Sequence, residues 1–303
     1  MLRTRVVSGV LIVAALVLVL YVDQSLAPWF PLWFVVSTLV MGATARELVG
    51  LLSNTPSRPS GPVVAGGLLA ILASDWLPHL VQGCRAADPV SGIVQGPDAA
   101  IAVFAWPLMS FAAVVMAAFV AESLRFSGGG RSVAATAGTV LVVAYVGVLG
   151  SFLVQMRWLA GCRHGLVPLA FLIATAKGAD VGAYTVGRLA GRRKLWPVIS
   201  PNKTVEGAIG GLAFALAAAL LVERVAAGYV GVTALGWAGA AGFGLVVGAM
   251  AQVGDLMESM IKRDCGTKDA SAAIPGFGGV LDVLDSLLFA APAAYGLWAW
   301  LGP

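Results

Sequence analysis

The stretch PGFGGVLDVLDS, residues 275–286, leads directly into the apolar run LLFAAPAAYGLWAWL, residues 287–301. Together they predict a helix that is long enough to cross a bilayer, which takes about 20 apolar residues. Asp282 and Asp285 lie three residues apart near the start of this helix, so they share one face. A carboxylate in a membrane-spanning helix is costly, so a cation or another partner must accompany this pair.

The composition of the whole chain agrees with a membrane location. Of 303 residues, 59% are hydrophobic and 11% are charged, and the mean hydropathy is +0.90; soluble proteins carry about 25% charged residues. We predict an all-α, polytopic integral membrane protein that forms a single domain over 1–303, with N-terminal helices in 1–164 and motif-bearing helices in 165–303. The predicted spans are 6–21, 29–45, 63–81, 99–121, 132–155, 165–186, 207–222, 231–252 and 277–301.

The distribution of basic residues predicts the orientation. If the N-terminus is cytoplasmic, four of the 19 basic residues fall on the opposite side and Lys177 lies within a span, which leaves fourteen on the cytoplasmic side. This asymmetry follows the positive-inside rule, so the net charge of +4 requires no nucleic-acid partner. We expect a cell-membrane protein whose N-terminus, Cys265 and charged C-terminal loops face the cytoplasm, with Cys84 on the other side.

A first polar cluster occupies KGADVGAYTVGRLAGRRKLWPVISPNKTVEG, residues 177–207. Lys177 and Asp180 are three residues apart on one helical face, either as an ion pair that serves helix packing or as part of a site. Ser200 followed by Pro201 resembles a helix N-cap with proline at the first helical position. A helix N-terminus beside Lys203 would suit a phosphate.

A second polar cluster occupies GDLMESMIKRDCGTKDASAAIPGFGGVLDVLDS, residues 254–286. Asp255 and Glu258 share a helical face, as Asp282 and Asp285 do. Four carboxylates near the membrane would repel one another unless a cation lies among them, and oxygen ligands together with phosphates suit Mg²⁺. Ordinary surface pairs at helix ends are the alternative, and they account poorly for Asp282.

This second cluster resembles the signature of the CDP-diacylglycerol synthases, or phosphatidate cytidylyltransferases. That signature runs serine, apolar residues, Lys-Arg, Lys-Asp, a Pro-x-His-Gly-Gly turn and Asp-Arg-x-Asp. The matching residues are Ser259, Lys262, Arg263, Lys268, Asp269, Pro275, Gly278, Gly279, Asp282 and Asp285. The first cluster is similar to the region upstream in that family. Phe277 replaces the histidine of the signature and Val283 replaces its arginine; every carboxylate is retained.

The resemblance implies transfer of a cytidylyl group from CTP to phosphatidate from the bilayer, giving CDP-diacylglycerol and pyrophosphate for phospholipid synthesis. It implies a site at the cytoplasmic side that uses Mg²⁺, alone or with a second cation. The expected metal ligands are Asp255, Glu258, Asp282 and Asp285. The expected catalytic residues are Asp255, Asp282, Lys262, Arg263 and Lys268. The expected nucleotide-binding residues are Asp180, Ser200, Asn202, Lys203 and Thr204.

Two other functions stay open on the sequence. A CTP-dependent polyprenol or lipid kinase would use a similar site but attack the γ-phosphorus. An ion or solute transporter would also justify carboxylates in spans, although here they cluster at one membrane face. Whether the chain forms a homo-oligomer is open as well.

Overall fold

The computed structural model describes residues 2–82, 101–126, 128, 130–230, 234–274, 276 and 278–302. The prediction of an all-α polytopic protein is confirmed, because this part of the chain contains eight helices long and apolar enough to cross a membrane, plus a shorter apolar one at Leu11–Leu26. The helices are α1 Leu2–Asp23, α2 Pro31–Leu52, α3 Gly61–Gln82, α4 Ala105–Leu124, α5 Ser132–Val142, α6 Leu149–Gln155, α7 Gly161–His164, α8 Leu166–Ala190, α9 Val205–Val230, α10 Gly236–Asp264 and α11 Leu281–Leu301. A π-helical segment, Val143–Val148, joins α5 to α6, so that Ser132–Trp158 counts as one span.

The described residues form two compact units. The first comprises those within Met1–Asp88, Ile101–Val154 and Asp264–Leu284, and the second comprises those within Gln155–Arg263 and Asp285–Pro303. The first turn of α11 therefore belongs to the first unit, and the remainder of that helix belongs to the second. The chain segments that carry the sequence motifs are divided between the two.

Apolar packing in the first unit is supplemented by buried carboxylates that bind helix groups. Leu68, Ile71 and Leu72 of α3 are buried. Asp23 is fully buried and accepts hydrogen bonds from the first N–H groups of α2, which have no partner within their own helix. Asp75, which lies within the predicted span 63–81, accepts a hydrogen bond from Ser151 Oγ at 2.9 Å. It is therefore a polar contact between helices.

The second unit is built on α8 and α9, which approach closely through small residues, and on a buried aromatic cluster. The ring of Phe171 on α8 meets the rings of Phe243 on α10 and Trp298 on α11 edge-on, each with centroids 5.3 Å apart. Such edge-to-face pairs add to the energy gained by burial. The cluster ties α8, α10 and α11 together and fixes the helices that carry the acidic residues described below.

The predicted helix start at Ser200 is wrong. Ser200–Thr204 forms strand β2, which pairs antiparallel with β1 (Lys194–Trp196), and α9 begins only at Val205. Thr204 Oγ1 accepts the N–H of Gly207 and so caps the helix. Serine and proline are common in tight turns as well as at helix starts, so this pair of residues does not require a helix. Backbone pairing with β1 places Ser200–Thr204 in a strand instead.

Candidate active site

Three carboxylates from two helices converge in the second unit. Asp255 and Glu258 lie on α10 and Asp285 lies on α11, and one oxygen from each falls within 4.8 Å of the others. Glu258 is 1% exposed and Asp285 is 5% exposed. An all-oxygen donor set of this kind suits a hard divalent cation such as Mg²⁺. The sequence analysis expected four carboxylates to face one another, and three of them, Asp255, Glu258 and Asp285, lie together here.

The close approach of α10 and α11 depends on Gly254. A Cβ on this residue would lie 2.6 Å from the carbonyl oxygen of Asp285 and 2.6 Å from Cβ of Phe289. Any side chain would therefore push the two helices apart. The glycine next to Asp255 is what allows the carboxylate of Asp285 to reach those of α10.

Two lysines predicted to bind phosphate are paired with these carboxylates. Lys203 Nζ, from the end of β2, lies 2.8 Å from Asp255 Oδ2. Lys262 Nζ lies 2.5 Å from Glu258 Oε2, one turn along α10. Both ammonium groups offset the repulsion within the cluster.

A second polar group on the same unit joins α8 to α11. Lys177 Nζ lies 2.9 Å from Asp180 Oδ2 and 2.9 Å from Ser286 Oγ, and Ser286 Oγ in turn lies 3.2 Å from Asp180 Oδ2. The predicted pairing of Lys177 with Asp180 is therefore present. Ser286, which follows Asp285 and is buried, fixes this part of α11 and is a contact that helical spacing did not predict.

The hairpin formed by β1 and β2, together with the residues just before it, is held by α9 and α10. Glu206 accepts hydrogen bonds from the backbone N–H groups of Arg192 and Arg193. Arg263 donates from Nε to the carbonyl oxygen of Ile199 at 3.4 Å. The predicted nucleotide-binding residue Asn202 is exposed on β2, and Ser200 is half-buried.

In the first unit, Asp282 organises the segment that precedes it. This segment, residues 265–280, is called the signature loop below. Asp282 Oδ2 accepts hydrogen bonds from the N–H of Gly279 at 2.7 Å and from the N–H of Ala270 at 3.1 Å. Asp282 thus joins two positions of the loop and closes it. Gly276 and Gly278 have φ values of 87° and 102°, which other residues rarely adopt.

Glu47, on α2, holds the same loop from outside, and the sequence analysis missed it. Its carboxylate accepts hydrogen bonds from Ser271 Oγ at 2.7 Å, from the N–H of Val280 at 3.0 Å and from the N–H of Leu281 at 2.8 Å. The sequence gives little indication of this role, because a single glutamate just beyond a predicted span is ordinarily a surface residue.

A cavity of about 530 Å³ lies between the end of α2 and the signature loop. Its polar lining residues are Arg46, Glu47, Asn54, Thr267, Asp269, Ser271 and Cys265. Burial, aided by the charge of Asp264, raises the pKa of the Cys265 thiol above its ordinary value. Lys268 is exposed. Pro275 and Phe277, which the sequence analysis singled out, lie outside the described residues, as does Cys84.

Comparison with known proteins gives the family. The model of the family described as "Cytidylyltransferase family" matches residues 3–301. The chain is 38% identical over 162 residues to a protein of Bacillus subtilis (strain 168) named phosphatidate cytidylyltransferase, covering 52% of this chain and 56% of that protein. It is 41% identical over 155 residues to a protein of the same name from Staphylococcus aureus (strain COL), covering 50% and 55%.

These alignments with curated relatives extend over about half the length of each relative. The family match, by contrast, runs through almost every residue of the chain and includes both clusters of charged residues. The helices, the acidic cluster and the loop around Asp282 therefore lie within a single matched region. The chain belongs to the cytidylyltransferase family.

Proposed function

We propose that this protein is a phosphatidate cytidylyltransferase, which transfers the cytidylyl group of CTP to phosphatidate. The observation that carries the proposal is the set of three carboxylates, Asp255, Glu258 and Asp285, of which the first two are paired with lysines, inside a chain of this family. The name shared by the relatives supports CTP and phosphatidate as substrates.

The donor set fits Mg²⁺. Asp255, Glu258 and Asp285 would hold the ion, and the proposal adds Asp282 as a further ligand on the basis of the signature. A bound Mg²⁺ would supply positive charge for the phosphate oxygens and for the charge that develops on the leaving group. Lys203 and Lys262 would then contribute their ammonium groups to the triphosphate.

The reaction follows from phosphoryl-transfer chemistry. A phosphate oxygen of phosphatidate forms a bond to the α-phosphorus of CTP, and the bond from that phosphorus to the bridging oxygen of the β-phosphate breaks. Pyrophosphate leaves with the electron pair, and CDP-diacylglycerol is the lipid product. This chemistry needs alignment and charge neutralisation more than a protein nucleophile, and lysines paired with carboxylates are suited to that task.

The membrane location gives the two substrates separate routes. Phosphatidate would enter from the bilayer, and CTP would come from the cytoplasm. We therefore propose a cell-membrane enzyme with its site on the cytoplasmic side, as the count of basic residues favours. In this proposal the nucleotide is bound by Lys268, Arg263, Asp180, Ser200, Asn202 and Thr204.

The proposal is tested by following two labels in CTP. Purified protein in mixed micelles receives phosphatidate, Mg²⁺ and CTP labelled in either the α- or the γ-phosphate. Label from the α-phosphate should enter the lipid, and label from the γ-phosphate should leave as pyrophosphate. Transfer of γ-label to a polyprenol supplied in place of phosphatidate, with release of CDP, would instead identify a lipid kinase.

Two matched variants sharpen this test. Asp282→Asn should reduce transfer by orders of magnitude while the protein stays folded, and chelation of Mg²⁺ by EDTA should do the same. Asp264→Asn, at the exposed end of α10, removes the same charge and should change little. Transfer that survives in EDTA, or in Asp282→Asn, would contradict the metal assignment.

A further inference from the structure

We propose that Glu47 is a positioning residue that holds the signature loop in its working geometry; this inference rests on the proposed function. Glu47 lies on α2, far along the chain from every motif of the family signature. Its carboxylate nevertheless binds three groups of the loop and of the helix that follows. None of the groups that it binds is itself a candidate for binding phosphate or metal. Its role is therefore to fix the conformation of the loop.

The geometry requires a carboxylate at this position. Glu47 Oε1 accepts from Ser271 Oγ and the N–H of Val280, and Oε2 accepts from the N–H of Leu281. Both oxygens are thus engaged by donors. An amide would place an NH₂ group against one of these donors, because only one of its two terminal atoms can accept.

Gly279 shows how closely the loop surrounds this carboxylate. A Cβ on Gly279 would overlap both oxygens of Glu47. Gly279 is one of the two adjacent glycines of the signature, so the motif itself contains the space that Glu47 fills. The two glycines are therefore needed for different reasons. Gly278 adopts a positive φ, and Gly279 leaves room for the carboxylate of Glu47 from another helix.

Glu47 and Asp282 hold the loop at successive positions. Asp282 Oδ2 binds the N–H of Gly279, and Glu47 binds the N–H groups of the next two residues, Val280 and Leu281. Consecutive donors at the start of α11 are thus divided between the two acids. Because Glu47 fixes the backbone of the two residues between Gly279 and Asp282, its loss should change where Asp282 and the exposed Lys268 are presented.

The test measures the loop and the metal separately. Hydrogen exchange read by mass spectrometry should show the peptide around Ala270–Leu284 exchanging at least about tenfold faster in Glu47→Gln, since local opening governs exchange. In the same variant, the Mn²⁺ dissociation constant by calorimetry in the presence of CTP, and the Mg²⁺ concentration for half-maximal transfer, should each rise at least about tenfold. Simple loss of folded protein would lower the rate without changing either metal requirement.

Two controls carry the same change of charge. Glu122→Gln alters an acid in the last turn of α4. Glu223→Gln removes a carboxylate that caps a different helix, through the N–H groups of Leu235 and Gly236. Both variants should leave loop exchange and metal requirement unchanged. If Glu47→Gln does not fold, Ser271→Ala removes one of the three hydrogen bonds of Glu47, together with the bond that the Ser271 hydroxyl accepts from the N–H of Ala273, and should produce the same shifts at smaller size.

The outcomes separate this inference from the proposed function. Unchanged loop exchange in Glu47→Gln, or faster exchange with an unchanged Mn²⁺ affinity, overturns the positioning role. A wild-type protein that transfers no cytidylyl group overturns the proposed function, while the exchange and Mn²⁺ measurements still decide the role of Glu47. Unchanged values in Ser271→Ala, where that variant must stand in, also overturn it.

Discussion

Replacing Gly254 by alanine should separate the two helices that carry the acidic cluster. The new methyl group would lie 2.6 Å from the Asp285 carbonyl oxygen and from Cβ of Phe289, whereas ordinary contacts begin at 3.4 Å. Since the interior packs without free space, α11 would have to move away from α10 by about 0.8 Å. Overpacking of this kind costs about 1–3 kcal/mol, and the higher helix propensity of alanine offsets up to about 1 kcal/mol of it.

The same displacement would carry Asp285 away from Asp255 and Glu258. A shift of about 1 Å in a positioned group costs about 100-fold in rate, so we expect transfer in Gly254→Ala to fall by about that factor. The assay is the initial rate with α-labelled CTP, together with the apparent melting temperature with and without Mg²⁺. The stabilisation given by Mg²⁺ should shrink, because a ligand that binds more weakly stabilises the folded state less at the same concentration.

Gly242 on the same helix supplies a matched control. A Cβ there would have nothing within 4 Å, so Gly242→Ala should keep full activity and gain up to about 1 kcal/mol of helix stability. If Gly254→Ala transfers within about twofold of wild type and keeps its response to Mg²⁺, the reasoning about helix separation is refuted.

Three further predictions concern single side chains. Asp255→Asn should lower transfer by orders of magnitude without loss of folded protein, as checked by gel filtration, whereas a small effect would exclude Asp255 as a metal ligand. Cys265 should react with impermeant maleimide in inverted vesicles and not in sealed cells. Because its thiol pKa is raised, its thiolate forms at higher pH, so the labelling rate should keep rising above the ordinary cysteine pKa of about 8.5, and a plateau below that would be inconsistent. Phe277→His should change activity only mildly, because we interpret this position as a packing and turn element; a gain above about 100-fold in kcat/KM would show that the chain lacks a catalytic group.

The spans and their type follow from the sequence because the bilayer imposes a local rule. About 20 consecutive apolar residues form a helix that satisfies its own backbone, so hydropathy alone located the helices to within several residues. The ends were less certain: α2 continues through Glu47 to Leu52, and α10 continues to Asp264, both beyond their predicted limits. Polar residues near the water layer extend a helix without leaving an apolar signal.

Pairs within one helix were equally readable. Asp255 with Glu258, and Lys177 with Asp180, follow from the helical repeat, which places residues three apart on one face. The carboxylate oxygens of Asp255 and Glu258 are ligands that a hard cation prefers, so a cation could be predicted from the residue types alone.

Tertiary structure decided which groups from different elements meet. The spacing of Asp282 and Asp285 made both of them equally good candidates for metal ligands. In the structure Asp285 joins Asp255 and Glu258, because Gly254 lets the two helices touch. The described hydrogen bonds of Asp282 go to its own loop. The role of Glu47 and the strand at Ser200–Thr204 depend in the same way on partners elsewhere in the chain. Which residues share a face of one helix follows directly from their spacing in the sequence. Contacts between helices depend instead on packing and on the small residues that permit it.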